Sequence, residues 1–130
     1  MLFRSRRDAD LYRAQPGGAR VMLKQVSDPQ RFGVAEIAGD RIVAIEEKPA
    51  RPRSDFAVTG IYFYDAHVYD IIRTLRPSGR GELEITDVNN VYLHRGELTF
   101  GILNGWWSDA GTFESLAHVQ ELIRENEGRA

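Results

Sequence analysis

A chain of 130 residues, 42% apolar and 28% charged, has material for one globular domain with a real core. Seventeen basic against nineteen acidic residues leave a net charge of −2, which argues against a nucleic-acid partner, and the lack of cysteine excludes disulfides and thiolate metal sites. No apolar run nears the roughly 18 residues of a membrane span, and MLFRSRRDAD lacks the apolar centre of a signal peptide, so a soluble, cytoplasmic protein without a membrane partner is expected.

In chain order, a polar start with helical character ends at Pro16-Gly17-Gly18, and Ala19 to Val26 reads as a strand. Ser27-Asp28-Pro29 is a turn signal. Phe32 to Ile37 and Arg41 to Glu47 read as strands joined by a hairpin at Ala38-Gly39-Asp40. Pro49 cannot donate to a sheet ladder, so it ends the second of them. The stretch FAVTGIYFY, Phe56 to Tyr64, is β-branched and aromatic and reads as a central strand, with Tyr62, Phe63 and Tyr64 alternating across it as packing residues.

Asp65 is placed to cap a helix carrying Val68, Ile71, Ile72 and Leu75 on one face, stopped by Pro77-Ser78-Gly79. Leu83 to Leu93 reads as a second helix, with Glu82, Glu84, Thr86 and Asp87 as capping chemistry in its first turn. Glu97 to Leu103 alternates into a strand that Gly105-Trp106-Trp107 breaks; the two tryptophans read as core or interface residues. A last helix from about Thr112 to Glu125 turns Phe113, Leu116, Val119, Leu122 and Ile123 inward. His67, His94 and His118 show no metal-ligand spacing. Mixed strands and helices make the chain α/β or α+β. A phosphate-handling α/β protein ordinarily opens with a strand, a glycine-rich turn and a helix, and no such unit occurs in these residues.

The tetrapeptide Glu46-Glu47-Lys48-Pro49 sets opposed charges at the tip of an apolar strand. One reading is a solvated strand end, where charge blocks edge pairing. The other is a ligand site, because open α/β sheets bind ligands outside the carboxyl ends of their strands. There a lysine can meet a phosphate as a point charge, and a carboxylate can accept hydrogen bonds from hydroxyls.

Four stretches bear on that choice: DPQRFGVAE (28–36), IEEKPARPRSDFAVTGIYFYD (45–65), RPSGRGELEITDVNN (76–90) and WWSDAGTFESL (106–116). In this order and spacing the chain resembles the second half of a sugar-phosphate nucleotidyltransferase of the glucose-1-phosphate thymidylyltransferase family, over about residues 19 to 124. The resemblance implies a partial Rossmann-like, three-layer α/β domain with a mixed sheet, residues 1–130 being its C-terminal, sugar-phosphate-binding part. It implies the substrates glucose 1-phosphate and dTTP, Mg²⁺ as cofactor, a role in nucleotide-sugar and surface-polysaccharide synthesis, and a homo-oligomer at full length.

By the same resemblance Gly33 borders the sugar through its backbone, Glu47 binds sugar hydroxyls, and Val58 lines the sugar site. Lys48 and Arg80 meet the phosphate in a catalytic role, and Asp109 is one of two carboxylates that hold the metal. The family's glycine-rich nucleotide loop, its catalytic arginine and lysine and its first metal-binding aspartate have no match in this sequence. The isolated chain is therefore expected to be inactive. Residues 1–7 fit the family poorly, and non-native sequence at a broken gene end is one reading of them. The residues themselves also allow blander roles: Gly33 relieving crowding, Arg80 solvated, Asp109 capping the last helix. Use of UTP, CTP or GTP, or a non-catalytic sugar-phosphate binding module, are the alternatives in function.

Overall fold

The computed structural model describes residues 2–76, 84–108 and 113–127. The chain runs α1 (Leu2–Ala14), β1 (Ala19–Gln25), a single 3-10 turn (Pro29–Arg31), β2 (Gly33–Ala38), β3 (Arg41–Glu47), β4 (Phe56–Tyr64), α2 (Val68–Thr74), α3 (Ile85–His94), β5 (Leu98–Ile102) and α4 (Phe113–Glu127). The five strands form one mixed sheet in the order β3-β2-β4-β1-β5. β1 runs antiparallel to β4 and parallel to β5, while β2 pairs antiparallel with β3 and, at Val34–Ala57, with β4. FAVTGIYFY is thus a central strand, as its β-branched and aromatic content predicts.

Strand alternation sorts the side chains into two faces. On one, Val21, Leu23, Ala35, Ile42 and Ile45 form a buried cluster against which Val58, Tyr62, Leu93, Leu98 and Phe100 pack. Ala19, Ile71, Val88 and Tyr92 form a second cluster that seats α2 and α3 on the same face. The sheet curls enough for its outer strands, β3 and β5, to approach each other, and α3 packs on both.

The opposite face belongs to α1, whose attachment is largely polar. Asp8 Oδ1 accepts from Arg20 Nη2 at 2.6 Å and from Arg20 Nε at 3.0 Å, both residues being buried. Tyr12 stacks on Phe63 at 5.6 Å, and Thr99 donates to Gln15 Oε1 at 2.8 Å. A side chain at Gly101 would sit 2.3 Å from Asp8 Oδ1, so the absence of a Cβ there lets the ion pair lie against β5. The layers are helix, sheet and helices, in agreement with the expected three-layer α/β arrangement.

Three sequence-based assignments change. Asp65 does accept from His67 N in the turn before α2, but it chiefly ties distant segments together. Its Oδ2 accepts from Gly18 N at 2.7 Å and its Oδ1 from the Tyr92 hydroxyl at 2.8 Å. Burial raises its pKa, but the hydrogen bonds from Gly18, Tyr92 and His67 outweigh that and leave the carboxyl below its ordinary value. A depressed carboxyl stabilises the fold above its unfolded pKa, and the contribution fades as pH falls through the folded one. Ile72 is 38% exposed, and Leu116 and Ile123 are each 43% exposed, although periodicity turned all three inward. A helical period marks an apolar stripe; it does not supply the surface that covers it. The third change, at Thr86, concerns the site. The helix stop at Pro77-Ser78-Gly79, the capping role of Glu82 and the start of the last helix at Thr112 lie outside the described residues.

Candidate functional site

Register brings the first residues together. Gly33 opens β2 directly opposite Glu47, the last residue of β3. The ladder extends one step further, because Lys48 N donates to Phe32 O at 3.0 Å. Phe32 is itself fixed by the edge of the Trp107 ring, 5.3 Å away, so Trp107 serves as the packing residue expected of it. Val58, paired with Leu23 at the start of β4, faces the same way. A Cβ at Gly33 would lie 3.3 Å from Glu47 Oε2, 3.4 Å from Thr86 Oγ1 and 3.7 Å from Val58 Cβ. Three expected site residues, Gly33, Glu47 and Val58, therefore meet at the end of the β2–β3 hairpin.

Thr86 completes the group. Its hydroxyl donates to Glu47 Oε2 at 2.5 Å, and the N-cap residue of α3, Glu84, makes no side-chain capping bond. The capping role assigned to it is thus corrected: the helix start is aimed at the sheet, and the hydroxyl finds a carboxylate across 39 residues of chain. Asn90 Nδ2 donates to Ile45 O at 3.2 Å and ties α3 to β3 one turn further on. The other oxygen of Glu47 can accept from a further donor. Burial first, and the Glu47 charge second, raise the pKa of Tyr62, so that phenol stays protonated beside the carboxylate.

Lys48 is exposed, and its φ of 42° is in the left-handed region that side chains other than glycine rarely adopt. Pro49 after it is buried, which with the Phe32 hydrogen bond holds the backbone there. Strain of this kind costs on the order of 1–3 kcal/mol and clusters where a side chain must be aimed. It predicts that Lys48→Gly is more stable than Lys48→Ala by about 1 kcal/mol, since both lack the amine and only alanine keeps the strain. Urea denaturation of the two variants measures it; equal midpoints would remove the strain from the account.

The same geometry predicts the effect of filling the floor of the site. Gly33→Ala would set a methyl 3.3 Å from Glu47 Oε2 and 3.4 Å from Thr86 Oγ1, so the carboxylate must give way by a few tenths of an ångström. The expected result is an affinity roughly tenfold weaker for a ligand that Glu47 holds. An unchanged affinity would mean that the ligand does not approach Gly33.

Arg80 and Asp109 lie outside the described residues, as does any geometry for a metal. Among the described residues no cluster of three or more histidine or carboxylate side chains is placed to hold a metal ion. No helix among them is long and apolar enough to cross a membrane.

A backed carboxylate, an exposed lysine and a bare glycine lie together at one end of a mixed sheet, an arrangement able to accept hydrogen bonds from hydroxyls and to oppose an anionic group. The chain belongs to the nucleotidyl transferase family, whose model matches residues 7–126. It is 50% identical over 114 residues to a glucose-1-phosphate thymidylyltransferase from Neisseria meningitidis, covering 85% of this chain and 40% of that protein. A glucose-1-phosphate thymidylyltransferase from Mycolicibacterium smegmatis is 44% identical over 115 residues, again 40% of its length. The chain thus spans about 40% of the curated relatives it matches. Among solved structures, a Bacillus anthracis protein described as a glucose-1-phosphate thymidylyltransferase, crystallised with sucrose, superposes with a TM-score of 0.86 at 53% identity over 92% of this chain and 48% of its own. A UDP-glucose pyrophosphorylase bound to UDP-glucose has a TM-score of 0.79 at 21% identity, a likeness of fold. The resemblance read from the sequence is borne out, and so is the α/β fold with a mixed sheet.

Proposed function

We propose that this chain carries the sugar-phosphate side of a glucose-1-phosphate thymidylyltransferase, the enzyme type that converts dTTP and glucose 1-phosphate to dTDP-glucose and pyrophosphate. The observation that carries the proposal is the Glu47 carboxylate, backed by Thr86 and opposed by a glycine, one residue before the exposed Lys48. A hexose fits there because its hydroxyls donate to the remaining carboxylate oxygen while the missing Cβ leaves room for the ring. A bond between a phosphate oxygen of the sugar and the α-phosphorus of dTTP forms as the bond to pyrophosphate breaks. Lys48, joined by Arg80, steadies the charge of the attacking phosphate, and Glu47 fixes the ring for in-line approach. Asp109 is the hard oxygen donor that a Mg²⁺ site would recruit, and a bound Mg²⁺ would neutralise triphosphate charge. One carboxylate is too few for a tight site, so the remainder belongs to the nucleotide side.

The test is to rebuild a complete enzyme by setting residues 19–127 in place of the matched segment of the N. meningitidis relative. The rebuilt protein is expected to form dTDP-glucose, and the 130-residue chain alone to form none. A folded chimera that turns over dTTP without regard to the sugar 1-phosphate supplied would overturn the assignment. Running dTTP, UTP, CTP and GTP in parallel reports the base, which residues outside this site select. Product for nucleotide-sugar and surface-polysaccharide synthesis is the role that this activity would fill.

A further inference from the structure

Asn89 is fully buried, yet among the described residues its Nδ2 has no hydrogen-bond partner. Its one described side-chain bond is made by Oδ1, which accepts from the Tyr64 hydroxyl at 2.5 Å. A buried carboxamide left wholly unpaired is costly, so this single bond decides where Asn89 can sit. Tyr64 is in turn immobilised, its ring stacked between Tyr62 at 5.7 Å and Tyr92 at 5.6 Å. Burial, and Tyr62 beside it, push the Tyr64 phenol well above its ordinary value, so it remains a donor.

Asn89 follows Thr86 by three residues, hence lies on the same face of α3. Beside the apolar packing of Val88 and Tyr92, three described hydrogen bonds join α3 to the sheet: Thr86 to Glu47, Asn89 with Tyr64 and Asn90 to the Ile45 carbonyl. The last two help the apolar cluster to fix the rotation and height of the helix, and the first reaches the candidate site. A bond of 2.5 Å between a hydroxyl and a carboxylate is short, and a shift of half a helical step, about 0.75 Å, stretches it past the ordinary range for such a pair.

We propose that Tyr64 and Asn89 are positioning residues that hold Thr86 against Glu47, and so set how sharply the site reads the hydroxyls of its sugar phosphate. This rests on the sugar-reading role of Glu47 argued above. Neither residue touches the ligand. Both act through α3, which behaves as a rigid lever pinned on the central strand β4.

The test uses the rebuilt full-length enzyme with glucose 1-phosphate and galactose 1-phosphate as probes. Tyr64→Phe keeps the ring stack and removes only the hydroxyl. The KM for glucose 1-phosphate is expected to rise about 3- to 10-fold, the preference over galactose 1-phosphate to fall by a similar factor, and the KM for dTTP to stay put. Thr86→Val is expected to give the same loss of preference, and the double variant no more than either alone, because both changes release one carboxylate. A Tyr64→Phe enzyme that melts earlier but discriminates the two sugars as before would show a merely structural role and overturn the inference. So would effects on preference that add in the double variant. If Glu47→Ala itself leaves sugar use unchanged, what fails is the reading of the site, not the lever.

Discussion

Lys48→Ala in the rebuilt enzyme is expected to lower kcat/KM for glucose 1-phosphate roughly 10- to 150-fold, the equivalent of losing one charge-assisted contact of about 1.5–3 kcal/mol. The lysine would meet the phosphate in the ground state and again as that phosphate attacks, so kcat and KM should both move. Pyrophosphorolysis of dTDP-glucose, the reverse reaction, should fall in parallel, and dTTP affinity should hardly change. Glu47→Ala should produce a loss of similar size with a different signature, blurring discrimination among hexose 1-phosphates because its partner is the ring. Initial-rate kinetics over a panel of sugar 1-phosphates separate the two. Wild-type behaviour in both variants would leave Glu46-Glu47-Lys48-Pro49 as a solvated strand end.

Arg20→Met in the 130-residue chain is expected to cost about 3–5 kcal/mol, because it strands the Asp8 carboxylate between α1 and the sheet. The pair is close, at 2.6 Å, and its side chains retain only 11% and 13% of their exposure. Arg20 Nη1 also donates to Thr99 Oγ1 at 3.3 Å, so the loss spreads into β5. Against a net stability of about 5–15 kcal/mol for a typical domain, that is a large fraction. The paired change Asp8→Leu with Arg20→Met should recover most of it, since replacing both charges removes the unpaired one. Urea midpoints for the two single variants and the double decide the matter. A loss below about 1 kcal/mol for Arg20→Met would show that α1 does not depend on this pair.

Much of the framework was legible in the residues. β1, β3 and β4 begin and end within a residue of the expected positions, because β-branched runs closed by Pro49, Gly18 and Asp65 mark their own limits. The pairing of Gly33 with Glu47 was not legible as such, but a compact hairpin with a turn at Gly39 forces something close to it. The site residues on that hairpin were therefore within reach of a sequence reading, and so was the family.

What local pattern could not supply was every contact made across the chain. Thr86 sits where a helix cap belongs, and only the docking of α3 on β3 shows that its hydroxyl is committed to Glu47 instead. Asp65 looks like a cap and is mainly a clasp on Gly18 and Tyr92. The polar underside of α1 gave little amphipathic signal, yet Asp8 and Arg20 bury each other once Gly101 makes room. Sequence determined the strands, most of the helices and the opposed charges where β3 ends, because propensity, turns and charge act over a few residues. Tertiary structure alone decided which polar groups are spent on one another, because a hydrogen bond joining residues 39 positions apart depends on the packing of a helix against a sheet.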